Sequence, residues 1–373
     1  MKSLFNLTKE QISILKSVGI IMIVLHNFLH WRTDVGENEM SYSPEHLINL
    51  MKSISNDPFS IFIGLFSYFG HFGVQIFIFV SAYGLTKKYL NQNRDINYKE
   101  YIGYRLIKIY SLAGFGLLVT VAYQMLYFGP SFSFVLSAVK SLTMTNNFRY
   151  ASIYAYVGPW WFFSLILQLY FVFPFLYRYL QKKREMGFYL LLAISYLSIY
   201  VIFPFTEKLK IPLFGNFLGH LPEFLLGIAL AMFPKLALKS KHILMALGIF
   251  VISNLSEHTF PFSFLSATVL LIAMVRPLLF ARKTVVSRAL VFIGGISMFI
   301  FLINGQLRTF TLEIFVPNPI ISPAHTYMWA MIHLAAAIIV SYGLSIVYNK
   351  TILPLSEKLY KMLLMNMKDK QKT

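Results

Sequence analysis

The chain of 373 residues is 57% hydrophobic and 17% aromatic, with charge on only 13% of its positions and a mean hydropathy of +0.62, which excludes a soluble globule wrapped in polar surface. Its formal net charge of +18 points to membrane topology and to anionic inner-leaflet lipid as a partner, not to nucleic acid. Cysteine is absent, so disulfides, thiolate catalysis and thiolate metal sites are excluded as well.

In chain order, apolar stretches long enough to span a bilayer fall at roughly 12–31, 60–86, 103–127, 156–178, 187–204, 213–233, 242–255, 262–281, 289–308 and 327–349. The seventh is short, and 130–145 is a candidate for dipping into the membrane. Long continuous runs rather than short alternating strands argue against a barrel. The expected fold is all-α: a polytopic transmembrane helical bundle of about ten spans. Basic residues such as Lys9, Lys87, Lys88, Lys182, Lys183, Lys235, Lys239, Lys241, Lys350 and Lys358 gather on alternate connections, which places both termini in the cytoplasm. The chain reads as one integral-membrane domain over 1–373 in the cell (inner, cytoplasmic) membrane, with 350–373 as a basic cytoplasmic tail. The first span lacks a small-residue cleavage pattern behind it and is read as retained.

Ionisable groups inside spans are costly, and few are present. The first span, LKSVGIIMIVLHNFLHW, holds Lys16 near its inner end and His26 and His30 toward its outer end. His26 and His30 share a face, whereas Lys16 and His26 are about 15 Å apart along the axis and rotated by about 80°. A neutral imidazole suits general-base work. The blander reading makes His26 an interfacial histidine and Lys16 a snorkelling anchor. The i, i+4 histidine pair also raises a metal, but the glutamate of HExxH and a third ligand are not evident, so no metal is expected. The polar stretch from Arg32 to Asp57, with Asp34, Glu37, Glu39, Glu45 and Asp57, is either a lid or a solvated linker. The second span adds His71 and Gln75, four apart among glycines that permit close approach. In the sixth, His220 and Glu223 flank Pro222, and a buried glutamate demands a partner: an inward-facing polar site or a packing ion pair.

Several stretches together resemble the integral-membrane acyltransferase family 3, from residue 12 to about 308. ILKSVGIIMIVLHNF is similar to the family's opening span, with a basic residue before a histidine. FGHFGVQIFIFVSAYGL resembles its glycine-valine, phenylalanine-rich second span. YRLIKIYSL resembles the basic pair of the third, here Arg105 and Lys108. PWWFFSLILQLYFVFPFL matches at Trp161, Ser164, Gln168, Tyr170 and Pro174, and LPEFLLG and FIGGISMFIFLING follow in order. The sequence departs from the pattern where Lys16 and His26 are ten apart rather than eleven. Gln75 replaces a common aspartate, Ile166 and Leu167 replace acids, and Asn304 replaces a frequent histidine, so no carboxylate from those positions can assist His26.

The resemblance implies transfer of an acyl group, commonly acetyl, from cytoplasmic acyl-CoA as co-substrate to a hydroxyl of a surface glycan or its lipid-linked precursor. In those terms His26 is the base, and Ser81, Gln168 or Asn304 donate to the oxyanion. Lys16, Arg105 and Lys108 meet the phosphates of the donor. The acceptor side is assigned to His30, His71, Gln75, Trp161, Tyr170, His220 and Glu223. The alternative is an exporter of glycan or lipid-linked sugar without acyl chemistry, in which sugars stack on the aromatics. The lack of an internal repeat lowers that prospect.

Overall fold

The computed structural model describes residues 7–92, 95–155, 158–236, 238–280, 284–315 and 322–369. Residues 370–373 of the expected tail lie outside them. The described residues contain no strand, as a bilayer requires of a chain that does not close into a barrel. In order, the helices are α1 (Lys9–Leu29), α2 (Pro44–Asn56), α3 (Ile61–Phe69), α4 (Gly73–Gln92), α5 (Tyr98–Tyr127), α6 (Phe132–Ser141) and α7 (Tyr150–Ile153). They continue with α8 (Trp161–Lys208), α9 (Leu221–Met232), α10 (Ser240–Ser253), α11 (Phe262–Phe280), α12 (Val285–Phe310) and α13 (Pro323–Asp369).

Seven described helical stretches are long and apolar enough to cross a membrane: 9–32, 58–92, 98–127, 158–208, 262–279, 285–313 and 323–365. The difference from about ten has a local cause. Arg184 adopts a left-handed backbone (φ 52°) that breaks α8 into two arms, and these arms coincide with the fourth and fifth stretches read from the sequence. The sixth and seventh stretches fall on α9 and α10, which are too short to count by length. The 130–145 stretch is the ten-residue α6, burying only Ala138 and Ser141. Residues 350–369, expected as a tail, continue α13 in one helix, and there Tyr360 packs edge-on against Tyr104 of α5.

The first helix is the axis of the bundle. It starts at a reciprocal cap, in which Gln11 N–H donates to the Thr8 hydroxyl (3.2 Å) and Thr8 N–H to the Gln11 side chain (2.9 Å), satisfying two otherwise orphaned donors. It then packs along α12 and α4, with α3, α11 and α13 also in contact. Two glycines set these crossings. A Cβ on Gly294 of α12 would run into the backbone carbonyl of Ser13, and one on Gly73 into that of Gly19. Membrane helices gain their association from such close backbone packing, because lipid offers no hydrophobic drive between them. The continuous core carries Leu15, Ile20, Val24, Phe28, Ile76, Phe79, Leu165, Phe224 and Ile300.

Candidate active site

A cavity of about 440 Å³ opens at the end of α1 where the chain turns into its first connection. Its wall combines His26, Asn27, His30 and Trp31 from α1 and its extension, His71 and Val74 from the start of α4, Trp161 from α8, and Phe301 and Arg308 from α12. Glu37, Glu39 and Tyr154 enter from the connections. The predicted shared face is present: the rings of His26 and His30 lie 5.5 Å apart, and His71 meets His26 edge-on at 5.8 Å. Gly70 permits that approach, since a Cβ there would come within 2.5 Å of the His26 Cβ.

His26 is 6% exposed, and its Nδ1 lies 3.1 Å from the carbonyl oxygen of Phe66. A carbonyl can only accept, so Nδ1 carries a proton. Nε2 is paired with the Glu37 carboxylate, which also only accepts, so both ring nitrogens donate and the two side chains act as an ion pair. Glu37 arrives there because the stretch after α1 folds inward. Gly36 takes φ +75°, a conformation open to glycine without a Cβ penalty. Asn38 is anchored in the interior, donating to the Tyr68 hydroxyl (3.1 Å) and accepting from Ser43 N–H (2.9 Å). With Asn38 pointing away, its neighbours Glu37 and Glu39 both face the cavity, as alternate residues of an extended stretch do. The open choice between lid and linker is thus answered by burial: Val35 and Asn38 are each 1% exposed, and the segment closes over His26.

The two carboxyl groups have opposite settings. Burial alone would raise both. For Glu37 the charge and hydrogen bond of His26 outweigh burial and hold the carboxyl down at about 2. For Glu39 burial and the neighbouring Glu37 charge act together and push it up to about 8. The Tyr154 hydroxyl donates to Glu39 at 2.7 Å. At neutral pH the wall therefore holds one ionised and one protonated carboxyl.

His71 is 1% exposed, and among the described residues neither ring nitrogen has a hydrogen-bond partner. Buried imidazoles are normally satisfied, so these nitrogens are available to a ligand in the cavity. His26, Glu37 and His71 each offer one donor atom within 4.8 Å of the others. Glu37 thus supplies a third donor atom that the sequence did not reveal, and the three side chains could together hold a metal ion.

The remaining sequence candidates divide into three groups. Trp161 lines the cavity and stacks on His220 at 6.2 Å. His220 and Glu223 stay off the wall, 1% and 0% exposed. They bond to each other at 2.7 Å while His220 Nε2 donates to the Phe214 carbonyl at 2.6 Å, backing Trp161 from behind. Gln168 is also off the wall: it donates to Asn216 (2.9 Å) and accepts from Phe217 N–H (3.0 Å). Asn216 in turn donates to the Asn147 carbonyl (2.7 Å), and Asn147 donates to the Trp161 carbonyl (2.9 Å). This amide chain fixes where α8 begins. Asn304 is fully buried and accepts from His333 at 3.1 Å, away from the cavity. Gln75, 2% exposed, and Ser81, further along α4, do not line it either.

Lys16, Arg105 and Lys108 do come together, joined by Lys88, which sequence reading had only counted as a topology charge. Lys108 feels the charges of Arg105, Lys16 and Lys88. Arg105 lies over the rings of Tyr101, Tyr104 and Tyr170 at 5.5, 5.3 and 5.1 Å, so Tyr170 belongs to this cluster and not to the cavity. Adjoining the cavity is an apolar recess of about 10 Å³, sharing Ile23, Val74 and Phe301 with it and closed by Phe77, Phe162 and Met298.

Sequence reading missed Glu37 and Glu39 as site groups, together with Tyr154 and Arg308. The only local signal is the Gly-Glu-Asn-Glu run directly after a histidine-bearing span. No curated protein and no solved structure matches the chain. The family model Acyl_transf_3, described as an acyltransferase domain, matches residues 9–349. That match takes in both the histidine–carboxylate cavity and the cation cluster. With a multi-pass helical bundle around them, the chain belongs to the acyltransferase 3 family of membrane acyltransferases.

Proposed function

We propose that this acyltransferase moves a short acyl group, commonly acetyl in this family, from acyl-CoA to a hydroxyl of a surface glycan or its lipid-linked precursor in the cytoplasmic membrane. The single observation that carries the reading is the buried His26–Glu37 pair facing a ligand-sized cavity. An acceptor hydroxyl entering beside the His26–Glu37 pair gives its proton to the pair through the Glu37 carboxylate as its oxygen attacks the thioester carbon. The imidazolium of His26 holds that carboxylate in place, and the Phe66 carbonyl holds the ring in orientation. The new O–C bond forms, the C–S bond breaks, and the proton taken up by the pair passes to the departing thiolate. His71, with free ring nitrogens at the same wall, is the donor for the oxyanion, in place of Ser81, Gln168 or Asn304.

The donor end is supported by four cations with shared fields, suited to the phosphates of a CoA. With both termini cytoplasmic, that cluster sits on the inner side and the cavity on the outer. His26→Ala is expected to abolish acyl-CoA consumption by purified protein while membrane abundance stays at the wild-type level. Movement of acceptor across vesicles without thioester cleavage in the wild type would instead support the exporter reading.

A further inference from the structure

Arg308 occupies the last turn of α12 and lines the outer cavity. An arginine at the end of a membrane span ordinarily snorkels to the headgroups; this one lies 4.8 Å from the ring centroid of Trp31. No hydrogen bond or ion pair engages its guanidinium among the described residues. The carboxylate whose field reaches it, Glu37, is already committed to His26. Glu39 is engaged by the Tyr154 hydroxyl at 2.7 Å and makes no ion pair with Arg308 among the described residues. The wall therefore presents one uncompensated cation with donor atoms facing open space. Trp31 itself is 63% exposed, an indole face at the rim.

We propose that the acceptor carries an anionic group, a carboxylate or a phosphate, which docks on Arg308 beside the Trp31 ring while a hydroxyl of the same molecule reaches His26. This rests on the transferase reading for the hydroxyl, but the anion site stands on Arg308 alone. A planar guanidinium takes either anion in a forked pair, and a sugar ring covers the indole as it does other aromatic faces. The acceptor class is thus an acidic saccharide: a uronic-acid unit or a phosphate-bearing one.

The test titrates purified full-length protein, at low salt, with cellobiose, its uronic-acid counterpart cellobiouronic acid, and cellobiose phosphate. At least one anionic probe is expected to bind about tenfold more tightly than cellobiose, the scale of a charged hydrogen bond. Which one does so distinguishes carboxylate from phosphate. Arg308→Gln should remove that preference and Arg308→Lys should keep most of it, with both variants eluting as monodisperse protein. Equal or undetectable binding of all three, or an undiminished preference in Arg308→Gln, overturns the proposal. Thioester cleavage in the same preparations reports separately on the transferase reading. Cleavage with equal binding leaves that reading and removes the anion site, while selective binding without cleavage does the reverse.

Discussion

At the residue scale, Glu37 and Glu39 are set apart by what each touches. Glu37 is ionised because an imidazole answers it, so Glu37→Gln removes the proton-accepting carboxylate of the pair without altering shape. Turnover is expected to fall by about a hundredfold or more, measured as thioester cleavage, with the amount of folded protein unchanged. Glu39 is the converse case, and its linkage has a definite sign. The unfolded carboxyl ionises near 4.5 and the folded one near 8. Between those values the folded state keeps a proton the unfolded state has released. Its contribution is thus fully present below 4.5 and is lost as pH rises through about 8. Thermal stability should fall from pH 6 to pH 9 in the wild type, and the Glu39→Gln protein should lose part of that slope. His26, His30 and Trp161, singled out in the sequence by their polarity or aromatic tips within apolar spans, do line one cavity. The acids were not, because a glutamate in a polar connection looks solvated until a positive-φ glycine and an anchored asparagine are seen to turn it inward.

At the element scale, the site depends on how closely α1 approaches α4 and α12. Gly294 is the tightest contact, facing the Ser13 backbone, which cannot move aside as a side chain would. Gly294→Val is expected to cost at least the 1–3 kcal/mol typical of overpacking, roughly. It should show as a sharp loss of monodisperse protein, whereas valine at Gly295, which has open space, should leave the yield near wild type. The helices themselves were readable from apolar run length. Length could not show that α8 is one segment bent at Arg184, nor that α9 and α10 are shorter than a full span. The roles expected for Gln168, His220 and Glu223 diverge for a similar reason. Their polarity in a greasy sequence signals that they need partners, and the fold supplies those partners around Trp161 instead of in the cavity.

At the scale of the whole molecule, two polar sites lie at different depths of one bundle. The cation cluster gathers residues from α1, α4 and α5, and among the described residues no acid pairs with Lys16 or Lys108. Arg105→Gln combined with Lys108→Gln should raise KM for acyl-CoA about tenfold or more, with kcat little changed. The wild-type KM should itself climb with ionic strength as the attraction is screened. The resemblance singled out a basic residue and a histidine along α1, although their spacing departs from the family's by one; the third dimension was needed to add Lys88 to one cluster and Arg308 to the other.

Ile23, Val74, Phe77, Phe162, Met298 and Phe301 leave space for scarcely one water molecule beside the cavity. A hydronium or sodium ion would have to shed its hydration to enter so greasy a pocket. The wet mouth of the site thus ends on this side in a wall that water and ions do not readily breach.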